Sequence, residues 1–326
     1  MKMKVCFIGG GAGHSASVFG SRCGELDYVG AAAYDGNDNL DKLIGRAAQL
    51  GHTIPVYNGW KEMLLEVKPD IAVVDTVFSG HAQVSGFALG RDINVYAEKP
   101  AATDLAQLDR LEKSVLESRG VYFSMLTARF TPCFYTAKML TDNGAIGKIR
   151  MINAQKSYKL GQRAQFFKSR QSYGGTIPWV SIHMIDQILW VTGKKCLHIH
   201  ALHSRGDNNG HGELETTAQV TMCLEGDILA SVNTDYYRPQ TAPTHGDDRI
   251  RIVGTEGVIE VRDEQVFLIN RDNDGELPVS NEVPENIFDG FLRVIGGSRD
   301  PVYRDCGGLY SSRVALLARD AADRWL

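Results

Sequence analysis

At 326 residues the chain exceeds what one hydrophobic core usually serves, so two domains are expected. Its 43% hydrophobic and 23% charged residues are ordinary for a globular protein, and a net charge of −4 lacks the basic footprint that nucleic acid or an anionic membrane surface requires. No apolar run nears the ~20 residues of a membrane span, and six scattered cysteines (Cys6, Cys23, Cys133, Cys196, Cys223 and Cys306), none in a C-x-x-C pair, read as reduced thiols of a cytoplasmic protein.

Val5–Ile8 is an apolar strand, too short for a signal-peptide core. It runs into Gly9-Gly10-Gly11-Ala12-Gly13-His14. Glycines placed there let the backbone turn tightly and approach a pyrophosphate, and the following helix aims its amides at the anion. The run follows G-x-G-x-x-G, with His14 in the third glycine place. A second strand over Tyr28–Ala33 leads to Asp35, about 20 residues beyond Gly13, the spacing of an acid on the adenine ribose. A carboxylate there accepts from both ribose hydroxyls and repels a 2′-phosphate. Gly36-Asn37-Asp38 offers no arginine to hold that phosphate, which favours NAD over NADP.

Helices over 39–50, 61–68, 80–90 and 104–119 then alternate with strands over 55–57, 71–75, 94–97 and 121–125. This alternation predicts a doubly wound parallel sheet occupying residues 1–125. The strand at 94–97 closes on Glu98-Lys99-Pro100. Pro100 cannot donate a ladder hydrogen bond and favours ending the strand, and its peptide bond is of the kind able to be cis. Ligands of open α/β sheets sit outside the carboxyl ends of the strands. A lysine placed there can reach both a cofactor and a substrate.

Residues 126–326 read as a second α/β domain. A helix over 134–142 precedes a long strand over 149–158. The stretch 160–173, with Arg163, Phe166, Phe167, Lys168 and Arg170, reads as a loop over a cleft. Pro178 then suits the first turn of a helix that is apolar nearly all round and therefore buried. One face of it carries Trp179, His183, Asp186 and Trp190 at spacings of three and four. Burying a histidine and a carboxylate demands partners. Cys196, His198 and His200 share a strand face, but one strand rarely surrounds an ion and no fourth ligand is evident, so no metal is expected. Further strands are predicted over 216–224, 227–235, 248–253, 257–262 and 266–269, with His245 in a polar loop and closing helices over 287–295 and 311–325.

Ile71-Ala72-Val73-Val74-Asp75-Thr76, then His81, then Ala97-Glu98-Lys99-Pro100, then Ala128-Arg129-Phe130-x-Pro132 resemble the Gfo/Idh/MocA family, the NAD(P)-dependent sugar, inositol and related dehydrogenases. The resemblance covers nearly the whole chain. It implies a Rossmann domain followed by an α/β domain with a large, mainly antiparallel sheet, assembled as a homodimer or homotetramer. It implies hydride transfer to NAD from a secondary alcohol of a small-molecule sugar, inositol or related polyol. Cofactor contacts are implied at Gly9, Gly11, Ala12, Gly13, His14, Asp35, Thr76, Phe78, His81, Glu98 and Lys99. Lys99 would lie at the nicotinamide and touch the reacting hydroxyl. His183 is a candidate acid or base, with Asp186, Trp179, Arg129 and Tyr158 on the substrate side. Lys99 is the first choice for handling the proton and His183 the alternative or relay.

One departure stands out: Trp179 occupies a place where the family often has Asp. An indole N–H only donates, so it cannot accept a proton, although its face can stack on a sugar ring. Two other readings therefore stay open. One is transient oxidation without net redox, permitting elimination, epimerisation or glycoside cleavage. The other is an NAD- and sugar-sensing regulator without turnover.

Overall fold

A computed structural model describes residues 2–10, 14–23, 25–36, 38–273 and 275–325. The chain divides into two compact units. The first comprises Met1–Leu126, Gln171–Gly174 and Glu285–Ser312, and the second comprises Thr127–Arg170, Gly175–Pro284 and Arg313–Leu326.

In the first unit, β1 (Met3–Gly9), β2 (Leu26–Ala32), β3 (Val56–Tyr57), β4 (Ile71–Asp75), β5 (Asn94–Ala97) and β6 (Tyr122–Ser124) form one sheet in the order β3-β2-β1-β4-β5-β6. Every neighbouring pair is parallel. This is the doubly wound dinucleotide-binding order. β4 is buried at every position, as a central strand covered on both faces must be. The crossovers carry α1 (Asp41–Gln49), α2 (Trp60–Val67), α3 (His81–Leu89) and α4 (Leu105–Glu117). Asp104 caps α4 by accepting the Gln107 N–H at 2.7 Å.

The segment after the glycine run differs from the predicted α-helix. His14–Gly20 is a 3₁₀ stretch of seven residues. The Ser17 hydroxyl donates to the His14 carbonyl at 2.7 Å, three residues back, which suits the tighter winding.

The second unit opens with α5 (Pro132–Asp142) and β7 (Ile149–Tyr158). The predicted loop at 160–173 holds a 3₁₀ turn, Gln165–Lys168, and ends in a short helix α6 (Arg170–Tyr173), most of whose residues belong to the first unit. Ile177–Ser181 then winds as a π turn into α7 (Ile182–Thr192), with every residue from Ile177 to Val191 buried. An eight-stranded sheet follows: β8 (Cys196–Ser204), β9 (Thr217–Leu224), β10 (Ile228–Asp235), β11 (Gly246–Gly254), β12 (Gly257–Arg262), β13 (Gln265–Asn270) and β14 (Leu277–Val279), with β7 inserted between β11 and β10. β7 and β10 run parallel, and all other neighbours are antiparallel. Ala218, Val220, Met222 and Leu224 of β9 point inward, alternating with residues on an open outer face. β14 carries Pro278, which weakens its strand signal and is tolerated because β14 is the sheet edge. Two helices close the chain: α8 (Ile287–Ile295) and α9 (Leu309–Asp323).

Candidate functional site

Each unit carries one cluster of the residues that the sequence singles out. In the first unit the cluster forms at the carboxyl ends of β1, β4 and β5. Gly9 has φ +77° and lies so close to β4 that a Cβ would meet the Asp75 carbonyl oxygen at 2.2 Å, so only glycine fits. Gly11, Ala12 and Gly13 lie outside the described residues. Just beyond them, the Ser15 hydroxyl donates to Asp75 at 2.8 Å, and His14 Nδ1 lies 2.8 Å from Glu98 Oε2.

Glu98 and Lys99 are buried, at 0% and 1% exposure, and the Lys99–Pro100 bond is cis. Lys99 Nζ lies 3.8 Å from Glu98 Oε1, which receives no hydrogen bond. Burial alone would push the Glu98 carboxyl up. The charge and hydrogen bond of His14, followed by the charges of Lys99 and His81, outweigh it and hold Glu98 below the usual carboxylate range.

His81 is fully buried, and its two ring nitrogens lie 2.8 Å from the Pro100 carbonyl oxygen and 3.0 Å from that of Thr76. Burial drives its proton affinity down despite those carbonyls. It thus sits between the loop after β5 and the loop after β4, its N–H donating to one of the two carbonyls. Phe78 is buried against His81 and Tyr173, and Thr76 Oγ1 donates to the Val77 carbonyl.

Asp35 is exposed beyond the end of β2. Its neighbour Asp38 turns inward instead, accepting the N–H groups of Tyr34 at 2.8 Å and Val77 at 3.1 Å. Burial pushes Asp38 up to about 6 against those hydrogen bonds. The sequence reading had not singled it out, although an aspartate three residues past Asp35 in a turn-rich run is a common backbone acceptor.

These strand ends suit a dinucleotide on chemical grounds. They offer a backbone turn too tight for a side chain at Gly9, an exposed acid after β2, and a buried carboxylate with one oxygen lacking a hydrogen bond beside an ammonium.

In the second unit, Arg129 and Asp186 form a bidentate pair. Nε donates to Oδ2 at 2.7 Å and Nη2 to Oδ1 at 2.6 Å, with the side chains 3% and 0% exposed. His183 lies one turn before Asp186 on α7 and is 2% exposed. Trp179 is 8% exposed and meets Phe167 edge to face at 5.9 Å. From there, aromatic and cationic side chains run in a row. The Arg163 guanidinium lies over both Phe167 and Tyr236, Tyr236 packs near Tyr158, and Tyr158 packs against His245 at 4.9 Å. Beside this row opens a cavity of about 610 Å³, lined in part by Thr131, Phe134, Tyr158, Arg238, His245 and Asp248. Lys156 sits under the Tyr158 ring and pairs with Asp248. Lys156 escaped the sequence reading because strand alternation alone does not distinguish an inward lysine from an outward one.

The α7 entry is anchored by Glu215, also missed from sequence. Its carboxylate accepts the Thr176 N–H at 2.9 Å and meets Arg170, which also donates to Asp323 at 2.9 Å. Gly175, at φ +114°, leaves room for that guanidinium, since a Cβ would lie 2.5 Å from Arg170 Nη1. Cys196, His198 and His200 do lie on β8, but a register shift separates Cys196 from His198. Among the described residues, the potential metal-ligating atoms that gather are instead those of His203, Glu215 and Asp323, and Arg170 already engages both carboxylates there.

Two family models match the chain. One, described as "Oxidoreductase family, NAD-binding Rossmann fold", matches residues 3–126. The other, "GFO/IDH/MocA C-terminal domain", matches residues 134–260. A solved structure of a putative oxidoreductase from Thermotoga maritima is 43% identical, covers 99% of both chains and superposes with a TM-score of 0.93. Among curated proteins, scyllo-inositol 2-dehydrogenase (NAD(+)) of Bacillus subtilis (strain 168) is 26% identical over 67% of this chain and 64% of its own. Trans-1,2-dihydrobenzene-1,2-diol dehydrogenase of Danio rerio is 24% identical over 64% of this chain and 60% of its own. The match thus spans less than two thirds of these curated relatives. With a doubly wound unit, a mainly antiparallel second sheet and both family models matched in order, the chain belongs to the Gfo/Idh/MocA family.

Proposed function

We propose that the protein is an NAD-dependent dehydrogenase acting on a secondary alcohol of a sugar, inositol or related polyol. The observation that carries the reading is Lys99, buried at the carboxyl end of β5 beside the one Glu98 oxygen that receives no hydrogen bond. Relatives named as inositol and diol dehydrogenases support the substrate class. Gly9, Gly11, Ala12, Gly13, His14, Asp35, Thr76 and Phe78 are the residues that would hold NAD, with His81 fixing the loops around them.

When bound, NAD⁺ supplies the hydride acceptor. The protein supplies position and the proton path. Lys99 Nζ takes the proton of the reacting hydroxyl. Burial disfavours its cation, which suits it to base chemistry beside the Glu98 carboxylate. His183 is the alternative or relay base. Asp186 enters with its charge already matched by Arg129 and holds a substrate hydroxyl only by sharing an oxygen with that guanidinium. Trp179 and Tyr158 offer ring faces to the apolar side of a sugar. Asp35 gives the preference for NAD over NADP.

The protein is further proposed to be cytoplasmic, on its free cysteines, and to form a homodimer or homotetramer. The outer sheet face leaves Met151, Leu197, Leu202 and Leu229 between 41% and 57% exposed, a surface suited to a second copy. Among the described residues no helix is long and apolar enough to cross a membrane.

A second reading draws on Trp179. Without an acid there, oxidation followed by return of the hydride would give elimination, epimerisation or glycoside cleavage. One screen separates the readings: sugars and inositols with NAD⁺ or NADP⁺, followed at the reduced-nicotinamide band and by product analysis. Accumulating NADH, faster with NAD⁺, is the expected result. Altered product without NADH establishes the second reading. Binding of NADH and sugar with no chemistry on any member overturns both in favour of a sensor.

A further inference from the structure

The third place of the glycine fingerprint holds His14, and its side chain makes a contact that no glycine makes. His14 Nδ1 joins the first turn of the sheet to Glu98 at the end of β5, 84 residues away in the chain, at 2.8 Å. The imidazole is 36% exposed and the carboxylate fully buried. With Oε2 engaged by His14, the other oxygen faces Lys99 at 3.8 Å, outside hydrogen-bond reach, and receives no hydrogen bond.

The other titratable groups around Glu98 are otherwise disposed. His81 of α3 meets two backbone carbonyls. The Tyr96 hydroxyl, on β5 itself, meets Ser17 Oγ at 2.9 Å. Tyr122 of β6 is buried, and its hydroxyl makes no hydrogen bond. Asp75 of β4 is bound by Ser15.

We infer that His14 is a positioning residue for Lys99, acting through Glu98, so that the glycine turn and the lysine respond as one unit. This rests on the reading of Lys99 as the proton-handling group and of NAD as the cofactor. Without the imidazole, the buried carboxylate retains Lys99 as its neighbouring cation. It then either rotates to bind the ammonium directly, which holds the lysine's proton more tightly, or takes up a proton itself. Either outcome alters Lys99 as a base and uncouples it from the turn that the pyrophosphate is expected to meet.

Three variants test this: His14→Gly, which completes the glycine fingerprint; His14→Asn, which offers an amide donor near the Nδ1 position; and Glu98→Gln. Two quantities are followed between about pH 6 and 9: kcat/KM on the alcohol found in the screen, and NADH affinity by fluorescence. At the low end of its usual range, a hydrogen bond to a charged group is worth about 1.5 kcal/mol, or roughly tenfold. His14→Gly should therefore weaken NADH binding about tenfold and displace the rising limb of kcat/KM by about one pH unit. His14→Asn should recover most of both. His14→Gly and Glu98→Gln should be non-additive.

A glycine variant with the wild-type limb and wild-type NADH affinity overturns the inference. So does an asparagine variant that melts like wild type yet recovers neither. If wild type oxidises no alcohol, the dehydrogenase reading fails alone, and the double-mutant cycle in NADH affinity still decides the link. Should NADH also fail to bind, the same cycle is read in the melting temperature of the ligand-free protein, where additivity overturns it.

Discussion

The two units each bury an ion pair, and the pairs are built on opposite plans. In the second unit, Arg129 and Asp186 meet through two parallel hydrogen bonds that use both carboxylate oxygens. Such a fork fixes geometry and charge together and acts as a joint. In the first unit, Glu98 spends one oxygen on His14, and the other stays 3.8 Å from Lys99 without a hydrogen bond. That pair leaves one carboxylate oxygen without a hydrogen bond. The difference separates a carboxylate with both oxygens engaged from one with an oxygen to spare for the proposed chemistry, even though both are buried acids beside a cation.

The sharpest test replaces the proposed base. Lys99→Met should lower kcat/KM about 10³-fold while leaving NADH affinity within a few-fold of wild type. Its loss of unfolding free energy in urea should be less than half of that at Asp186. A larger loss at Lys99 would break the contrast.

Asp186→Ala comes next. Stranding the Arg129 cation in the interior should cost about 3–5 kcal/mol, read as an earlier urea midpoint. Arg129→Met with Asp186→Leu should recover much of it. If the double variant is as unstable as the single one, the pair is more than a joint.

The same contrast recurs at smaller scale between exposed Asp35 and half-buried Asp38. Asp35→Ser should shift the ratio of kcat/KM with NAD to that with NADP about tenfold toward NADP, near 1.4 kcal/mol. An unchanged ratio would remove Asp35 from the proposed preference for NAD.

Asp38 gives the smallest effect. Burial raises its pKa to about 6, above the unfolded value, so the native state holds the proton more tightly. Its contribution to stability is full below the unfolded pKa and falls away as pH rises from about 4 to about 6. After discounting for partial exposure this amounts to about 1–2 kcal/mol. Asp38→Asn should flatten the melting temperature across that window, and a wild-type slope in the variant would dismiss the assignment.

Much of this organisation was legible beforehand. Strand alternation gave β4 and β5 to the residue, because short apolar runs bounded by Asp, Gly and Pro leave little choice. The buried helix with Trp179, His183 and Asp186 was legible from spacing. Its partner was not. Arg129 lies 57 residues before Asp186, and no local pattern announces a contact between a short 3₁₀ turn and a helix. The His14–Glu98 contact, the Glu215 anchor and inward-facing Lys156 were hidden for the same reason: each is a pairing over distance. Pro178 marked a helix start without revealing that the first turn would be π-wound.

The helix α8 sets a condition on dividing this protein into parts. Asp289 accepts hydrogen bonds from Ser21 Oγ and the N–H groups of Arg22 and Cys23, and Phe288 and Phe291 pack on Tyr96 in the strand that ends at Glu98. A fragment cut after Leu126 would therefore lose a wall of its own hydrophobic interior. An excised nucleotide-binding module must carry residues 285–312 on a tether, and a chain that stops at 284 should unfold first around Tyr96.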